Sequence, residues 1–392
     1  MSNARIFVPQ KRVMAVAFQF FINGVVYGTW ATNILHIRRS FGLSEFGLSI
    51  VFLTMGAAAV LIMSLTGYLV QIFGSRRISI LSCLFFPAAL CFVFVAPNHI
   101  ALLVGVGLFG AANGSMDVSM NDQGTNLGKR GSDPVISLLH GFSSIGALAG
   151  SLLSYWWIGR GYHPLVQAIA LLVGTLMLSW RLFPHLDLDA DRSRISLELG
   201  ALGNGRLILL GFLSFLTMMS DGAIADWSTI YLEDYWPTSP QTAVLGYLAF
   251  AVFMIVGRIS GDRIGSVIGD RAMIAISGGL MSAGMTIALS IPFFAAALAG
   301  FSLLGIGMAN LVPIIFRNAS EVVPDGLGTA FVSVCGYSGF LVGPPIIGGA
   351  AGAVGLNKAL LIVSAVGATL AYVIGPFSRT QTPARFTLMA LG

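Results

Sequence analysis

Apolar runs of about 20 residues recur along this chain from one end to the other, and that spacing limits what it can fold into. A run of that length crosses the hydrocarbon of a bilayer as a helix, at ~1.5 Å per residue. The runs are continuous rather than alternating, which favours helices over the strands of a membrane barrel. Only 9% of residues are charged and 56% are hydrophobic, whereas a soluble domain carries roughly a quarter charged residues. The chain is therefore expected to be an all-α membrane protein. Its formal charge of +5 comes from basic residues lying mostly between the apolar runs. There they report topology and not nucleic-acid binding. Cys83, Cys91 and Cys335 all lie in apolar runs and form no disulfide or metal spacing. No Walker-type loop, serine-hydrolase motif, metalloprotease motif or zinc spacing is present, so neither an enzyme nor a cofactor is expected.

Twelve spans are expected, at 13–35, 45–72, 78–96, 99–121, 134–158, 164–183, 206–232, 241–264, 271–294, 295–317, 327–352 and 356–377. The ninth and tenth run together around Pro292, which makes that boundary the least defined. The first run, Val13–Leu35, is too long for a signal-peptide core and leads straight into a second span, so it belongs to the mature structure. A polar segment at 184–205, with Asp187, Asp189, Asp191, Arg192, Arg194 and Glu198, separates a first half (1–183) from a second (206–392). With the N-terminus in the cytoplasm, 17 of the 21 Lys and Arg fall on that side, leaving Arg38, Arg39, Arg160 and Lys358 outside. This asymmetry places both termini in the cytoplasm.

The halves repeat each other. GAAN at 110–113 matches GMAN at 307–310, and YGTWATNIL at 27–35 matches IADWSTIYL at 224–232, aligning Trp30 with Trp227. TGYLVQIFGSR at 66–76 matches SGDRIGSVIGDR at 260–271, and HGFS at 140–143 matches CGYS at 335–338. Matches in order at nearly one offset mean two six-helix units of common design, with a solute site expected between them near mid-membrane.

On these repeats the chain resembles the major facilitator superfamily over essentially its whole length. The resemblance implies two pseudo-symmetric six-helix bundles and secondary transport by alternating access. It also implies a cavity lined by the first, fourth, seventh and tenth spans. The family's loop after the second span is kept only in part: Gly67, Gly74, Arg76 and Arg77 stand, but Gln71 and Ile72 replace its acid–base pair. The second half keeps Gly261, Asp262, Arg263, Gly269, Asp270 and Arg271, and the resemblance gives Asp262 and Arg263 a gating role. GFLVGPPIIGG at 339–349 resembles a Gly-Pro motif that antiporters of the family carry in the fifth span. The fifth-span counterpart here, GFSSIGALAG, lacks the proline, which argues against a drug:proton antiporter. As a whole, the pattern looks most like bacterial inner-membrane carriers distantly related to sugar:proton symporters.

Within this frame Gly105–Asp122 stands out, because Asn113, Asp117 and Asn121 recur every four residues on one helix face of an apolar span. An ionisable group at membrane depth is costly, and by default it faces a protein interior or a wet cavity. Asp117 lies about 27 Å from the start of its span at His99. Two readings stand for it: a proton-coupling carboxyl, or a hydrated carboxylate paired with Lys129 or Arg130. His140 enters the next span at similar depth and either pairs with Asp117 or serves as a neutral packing histidine. On the seventh span, Asp221 and Asp226 are about 140° apart around the helix. Asp221 is the deeper and the better cavity candidate, whereas Asp226 lies near the outer surface and suits a gating role. Trp227 is expected to be an interfacial anchor. Asn23, Tyr27, Trp30, Asn113 and Asn310 would form a solute site of amides and aromatic faces, with interhelical hydrogen bonding as the alternative for the amides.

No Lys or Arg is expected at mid-depth in any span, which favours a neutral or weakly cationic solute such as a sugar or polyol. The alternative is a small-amphiphile or multidrug exporter. The expected partners are the solute, protons and the bilayer of a bacterial inner membrane, with the protein a monomer.

Overall fold

In the computed structural model residues 10–130, 135–186, 204–323 and 327–373 are described, and every regular element among them is helical. The first six spans are Gln10–Phe41, Glu45–Phe73, Ser75–Phe94, His99–Arg130, Val135–Gly159 and Pro164–Leu182. The seventh is Gly205–Tyr235. After a short turn of helix at Pro240–Ala243, the eighth and ninth form one helix, Leu245–Ser290. The tenth is split into Phe294–Met308 and Leu311–Val322, the eleventh is Leu327–Val354, and the twelfth comprises Leu356–Ala359 and Leu361–Val373. The segment expected to join the halves lies mostly outside the described residues.

Where the sequence left the ninth and tenth spans merged, the chain breaks cleanly, with Ile291 and Phe293 extended on either side of Pro292. The fusion occurs instead between the eighth and ninth spans, where Gly269 turns the chain within one residue at φ 79° and ψ 163°. Gly74 adopts nearly the same conformation, φ 82° and ψ 146°, between the second and third. Only glycine takes such angles without strain. The same device at the same place in both halves shows the internal repeat in the backbone.

The first described helix begins, and the last ends, on one face of the bundle, here termed the terminal face; the opposite one is the distal face. Apolar side chains clothe the outside: Leu61, Ile100, Trp180 and Ile259 are 73%, 76%, 86% and 75% exposed. With lipid on that side, polar groups must find partners within. Gln167 does so in the first half, donating to Thr29 Oγ1 at 2.9 Å and accepting from Ser154 at 3.0 Å.

Close helix crossings also repeat. A Cβ at Gly146 or Gly150 would run into the carbonyls of Phe21 or Val25 on the first span. A Cβ at Gly339 or Gly343 would meet those of Phe215 or Met219 on the seventh. Such backbone contact is how helices associate where lipid supplies no hydrophobic drive. Gly150→Leu is expected to lower stability by about 1–3 kcal/mol or to prevent folding. Gly174→Ala, where no atom lies within 4 Å of the added carbon, should be neutral. Melting of the detergent-solubilised variants compares the two.

Candidate functional site

At mid-depth the halves meet over polar side chains. On the first and fourth spans Asn23 Nδ2 donates to Asn113 Oδ1 at 3.0 Å. One turn further along the fourth span is Asp117. Tyr337 Oη, from the eleventh span, donates to Asp117 Oδ1 at 3.1 Å, and Asn121 Nδ2 donates to the same oxygen at 3.2 Å. Tyr337 and Asp117 belong to opposite halves, so this bond joins them. Tyr27 packs its ring against Phe340, also across the halves, at 5.5 Å between centroids. Its hydroxyl is buried without a partner. Asn23, Tyr27, Asn113, Asp117 and Tyr337 are all half-buried, although their helices lie in an apolar bundle.

A second polar group lies between the fifth, seventh and eighth spans. Arg258 is 13 residues beyond Leu245 and 11 before Gly269, about 20 and 16 Å respectively along the helix axis. Its Nη1 donates to Ser144 Oγ of the opposite half, and its Nε is buried without a partner. Asp221 and His140 lie within electrostatic range of the guanidinium. The expectation that no basic residue reaches mid-depth is thus corrected. Arg258 falls inside the expected eighth span, 241–264, yet counts there with the cytoplasmic-side charges; in the structure that helix runs on to Gly269.

At the distal face the halves are tied together. Arg38 Nη1 pairs with Asp234 Oδ1 at 2.5 Å and Arg39 with Glu233, while Glu45 of the first half steadies Arg38 Nη2 at 3.3 Å. Deeper in the same seam Trp30 Nε1 donates to Asp226 Oδ1 at 3.3 Å, with both residues fully buried. Phe52 meets Trp227 edge-on at 5.4 Å across the halves. Exposed ion pairs are individually weak, ~0–1 kcal/mol each. The sealed indole–carboxylate pair has more to lose if broken.

The expected site residues therefore separate into groups. Asn23, Tyr27, Asn113 and Asp117 come together, and Asp221 stands with Arg258. Trp30 belongs to the distal seam with Asp226, which is fully buried rather than solvated. Asp117 and His140 do not pair: the acid is held by Tyr337 and Asn121, and the His140 ring packs edge-on against Phe20 at 5.2 Å.

Asn310 lies in the contact between the tenth and eighth spans, where Nδ2 donates to the Gly257 carbonyl at 2.9 Å. The tenth helix breaks at Ala309–Asn310, three residues before Pro313. Proline removes one helical hydrogen bond, and the matching position in the continuous fourth span has no such break. Trp227 is no interfacial anchor: it is fully buried and its indole donates to the Pro344 carbonyl at 3.0 Å. Arg263 is exposed, and the Asp262 side chain lies outside the described residues.

Sequence reasoning missed Tyr337, Ser144 and Arg258. The match of CGYS to HGFS marked the region of Tyr337, and counting from the start of the eighth span would have found Arg258.

A model of the Major Facilitator Superfamily matches residues 16–267. "Membrane protein MosC" of Rhizobium meliloti is 52% identical over 372 residues, covering 94% of this chain and 91% of that protein. An uncharacterized MFS-type transporter of Yersinia pestis is 35% identical, covering 84% of this chain and 86% of its own length. Among solved structures, a mutant of the nucleoside transporter NupG aligns with a TM-score of 0.76 at 13% identity, covering 93% of this chain and 98% of that one. At that identity the likeness is one of fold.

Proposed function

The chain belongs to the major facilitator superfamily, and from that premise we propose a proton-coupled secondary transporter that moves a small, hydroxyl-rich solute through a chamber that opens between its halves. One observation carries the reading. A carboxyl at membrane depth, Asp117, is bonded to a tyrosine of the opposite half, so its protonation and the approach of the halves act on one contact. Protonation removes the charge that makes Asp117 a strong acceptor for Tyr337. It thereby lowers the cost of separating the halves at that depth. The two moving bodies are residues 1–183 and 206–392, joined through 184–205.

The Asn23–Asn113 amides and the unpartnered Tyr27 hydroxyl supply donors and acceptors for solute hydroxyls. Asp221 supplies a second carboxyl, and Asp226 serves as the distal gate. The Lys and Arg distribution assigns the terminal face to the cytoplasm. On that reading the closed distal seam faces outward. Arg258 at mid-depth leaves room for a solute that is not strictly neutral or cationic.

Uptake of labelled sugars and polyols into proteoliposomes tests the proposal. A pH gradient should drive accumulation that a protonophore abolishes. Uptake indifferent to both would contradict it.

A further inference from the structure

Arg258 is the one basic group the structure brings to mid-depth among the described residues, and its surroundings leave most of its hydrogen-bonding capacity unused. A guanidinium offers five N–H donors in a flat fork. Nη1 is taken by Ser144, a neutral acceptor on the opposite half. Nε is buried without a partner, and no acceptor meets Nη2 among the described residues. The free edge is thus Nε with Nη2, two parallel donors on one side of the plane. That is the geometry that binds a carboxylate through both oxygens.

Asp221 does not fill it. It is close enough to feel the guanidinium, yet no ion pair of 4.0 Å or less joins them among the described residues. A buried cation lacking a close counter-ion is costly unless an anion arrives to pair with it.

We propose that Arg258, steadied by Ser144, is an anion subsite of the transport chamber, and that the solute carries one carboxylate on a hydroxylated skeleton. This rests on the reading of the chamber as the solute site. The carboxylate seats on the Nε–Nη2 edge, while hydroxyls reach the Asn23–Asn113 pair. A dianionic phosphate fits less well, because Asp117 and Asp221 already contribute acids to a chamber with a single guanidinium. Ser144 and Arg258 lie on opposite halves, so a bound carboxylate also adds to the contact between them.

The test uses the full-length protein in detergent and measures thermal stabilisation. The probes are glycerate, erythronate, gluconate and galactonate, each beside the alditol, amino-alditol and alditol phosphate of the same skeleton. At least one hydroxy acid should stabilise the protein more than its alditol. Arg258→Gln should weaken that acid about 10–100-fold, the loss expected for a charged hydrogen-bonded pair, with little effect on the alditol. If Arg258→Gln does not fold, Arg258→Lys decides: it keeps the charge but loses the two-pronged edge, and should weaken the acid selectively.

Three results overturn the proposal. The first is stabilisation by no acid. The second is an acid effect that survives loss of Arg258. The third is preference for the phosphate, which removes the carboxylate assignment. Stabilisation by alditols alone, lost in Asn113→Ala, overturns the anion subsite but leaves the chamber reading standing. Probe effects insensitive to both Arg258 and Asn113 overturn the two together.

Discussion

Asp117→Asn protein in liposomes accumulates no solute in response to a pH gradient, yet still exchanges internal for external solute. Asparagine preserves the shape of the side chain and an oxygen for Tyr337 and Asn121, whose bonds both converge on Asp117 Oδ1. What it removes is the exchangeable proton. One pH unit stores about 1.4 kcal/mol per proton, enough for tenfold accumulation at one proton per solute. The expected change is therefore from about tenfold to none, with counterflow near its original rate. Asp221→Asn provides the comparison. If it uncouples transport while Asp117→Asn does not, the coupling role passes to the seventh span.

The second large effect is expected at the distal seam. Trp30→Phe deletes the donor to Asp226 and leaves a fully buried carboxyl with neither oxygen bonded, since Oδ2 already lacks a partner. Leaving such a group unsatisfied costs about 2 kcal/mol or more, which shifts an open–closed equilibrium about 30-fold. The cost falls only on the closed seam, because opening hydrates the acid. Trp30→Phe should hence favour the distal-open form, and the double variant Trp30→Phe with Asp226→Leu should close it again. Failure of the second change to reverse the first would show that Trp30 acts instead through its packing on Phe109, whose ring centroid lies 5.1 Å from its own. Reversing charge at Arg38 is expected to act in the same direction but more weakly, because its partners are partly solvated.

The sequence carried the large-scale pattern because hydrophobic run length and repeated motifs are local signals. The spans and their repeat were legible in this way, and Gly74 and Gly269 now show the repeat in the backbone. The polar face of the fourth span was also legible, since three polar residues at one helical spacing point the same way. The partners were not. Tyr337 is 220 residues from Asp117, and their meeting depends on how the halves are seated. Asn310 illustrates another limit: the repeat equates it with Asn113, but the break before Leu311 turns it into a helix contact. Trp227 illustrates a third. Its indole meets the Pro344 carbonyl of the eleventh span, 117 residues away, where span-end statistics suggested an interface. Arg258 lay inside the expected eighth span but was counted with the charges of the cytoplasmic side, and only the continuation of the helix to Gly269 shows how deep it sits.

The central claim is that the chamber at Asn113 is wet and open to one side at a time. It is tested most directly by Asn113→Cys in a chain whose Cys83, Cys91 and Cys335 are replaced by serine. A membrane-impermeant thiol reagent is applied to vesicles of each orientation. Labelling should come from the terminal face and be slow from the distal face, and adding Trp30→Phe should reverse that preference. No labelling from either face, with or without Trp30→Phe, would mean a dry seam and would contradict the account.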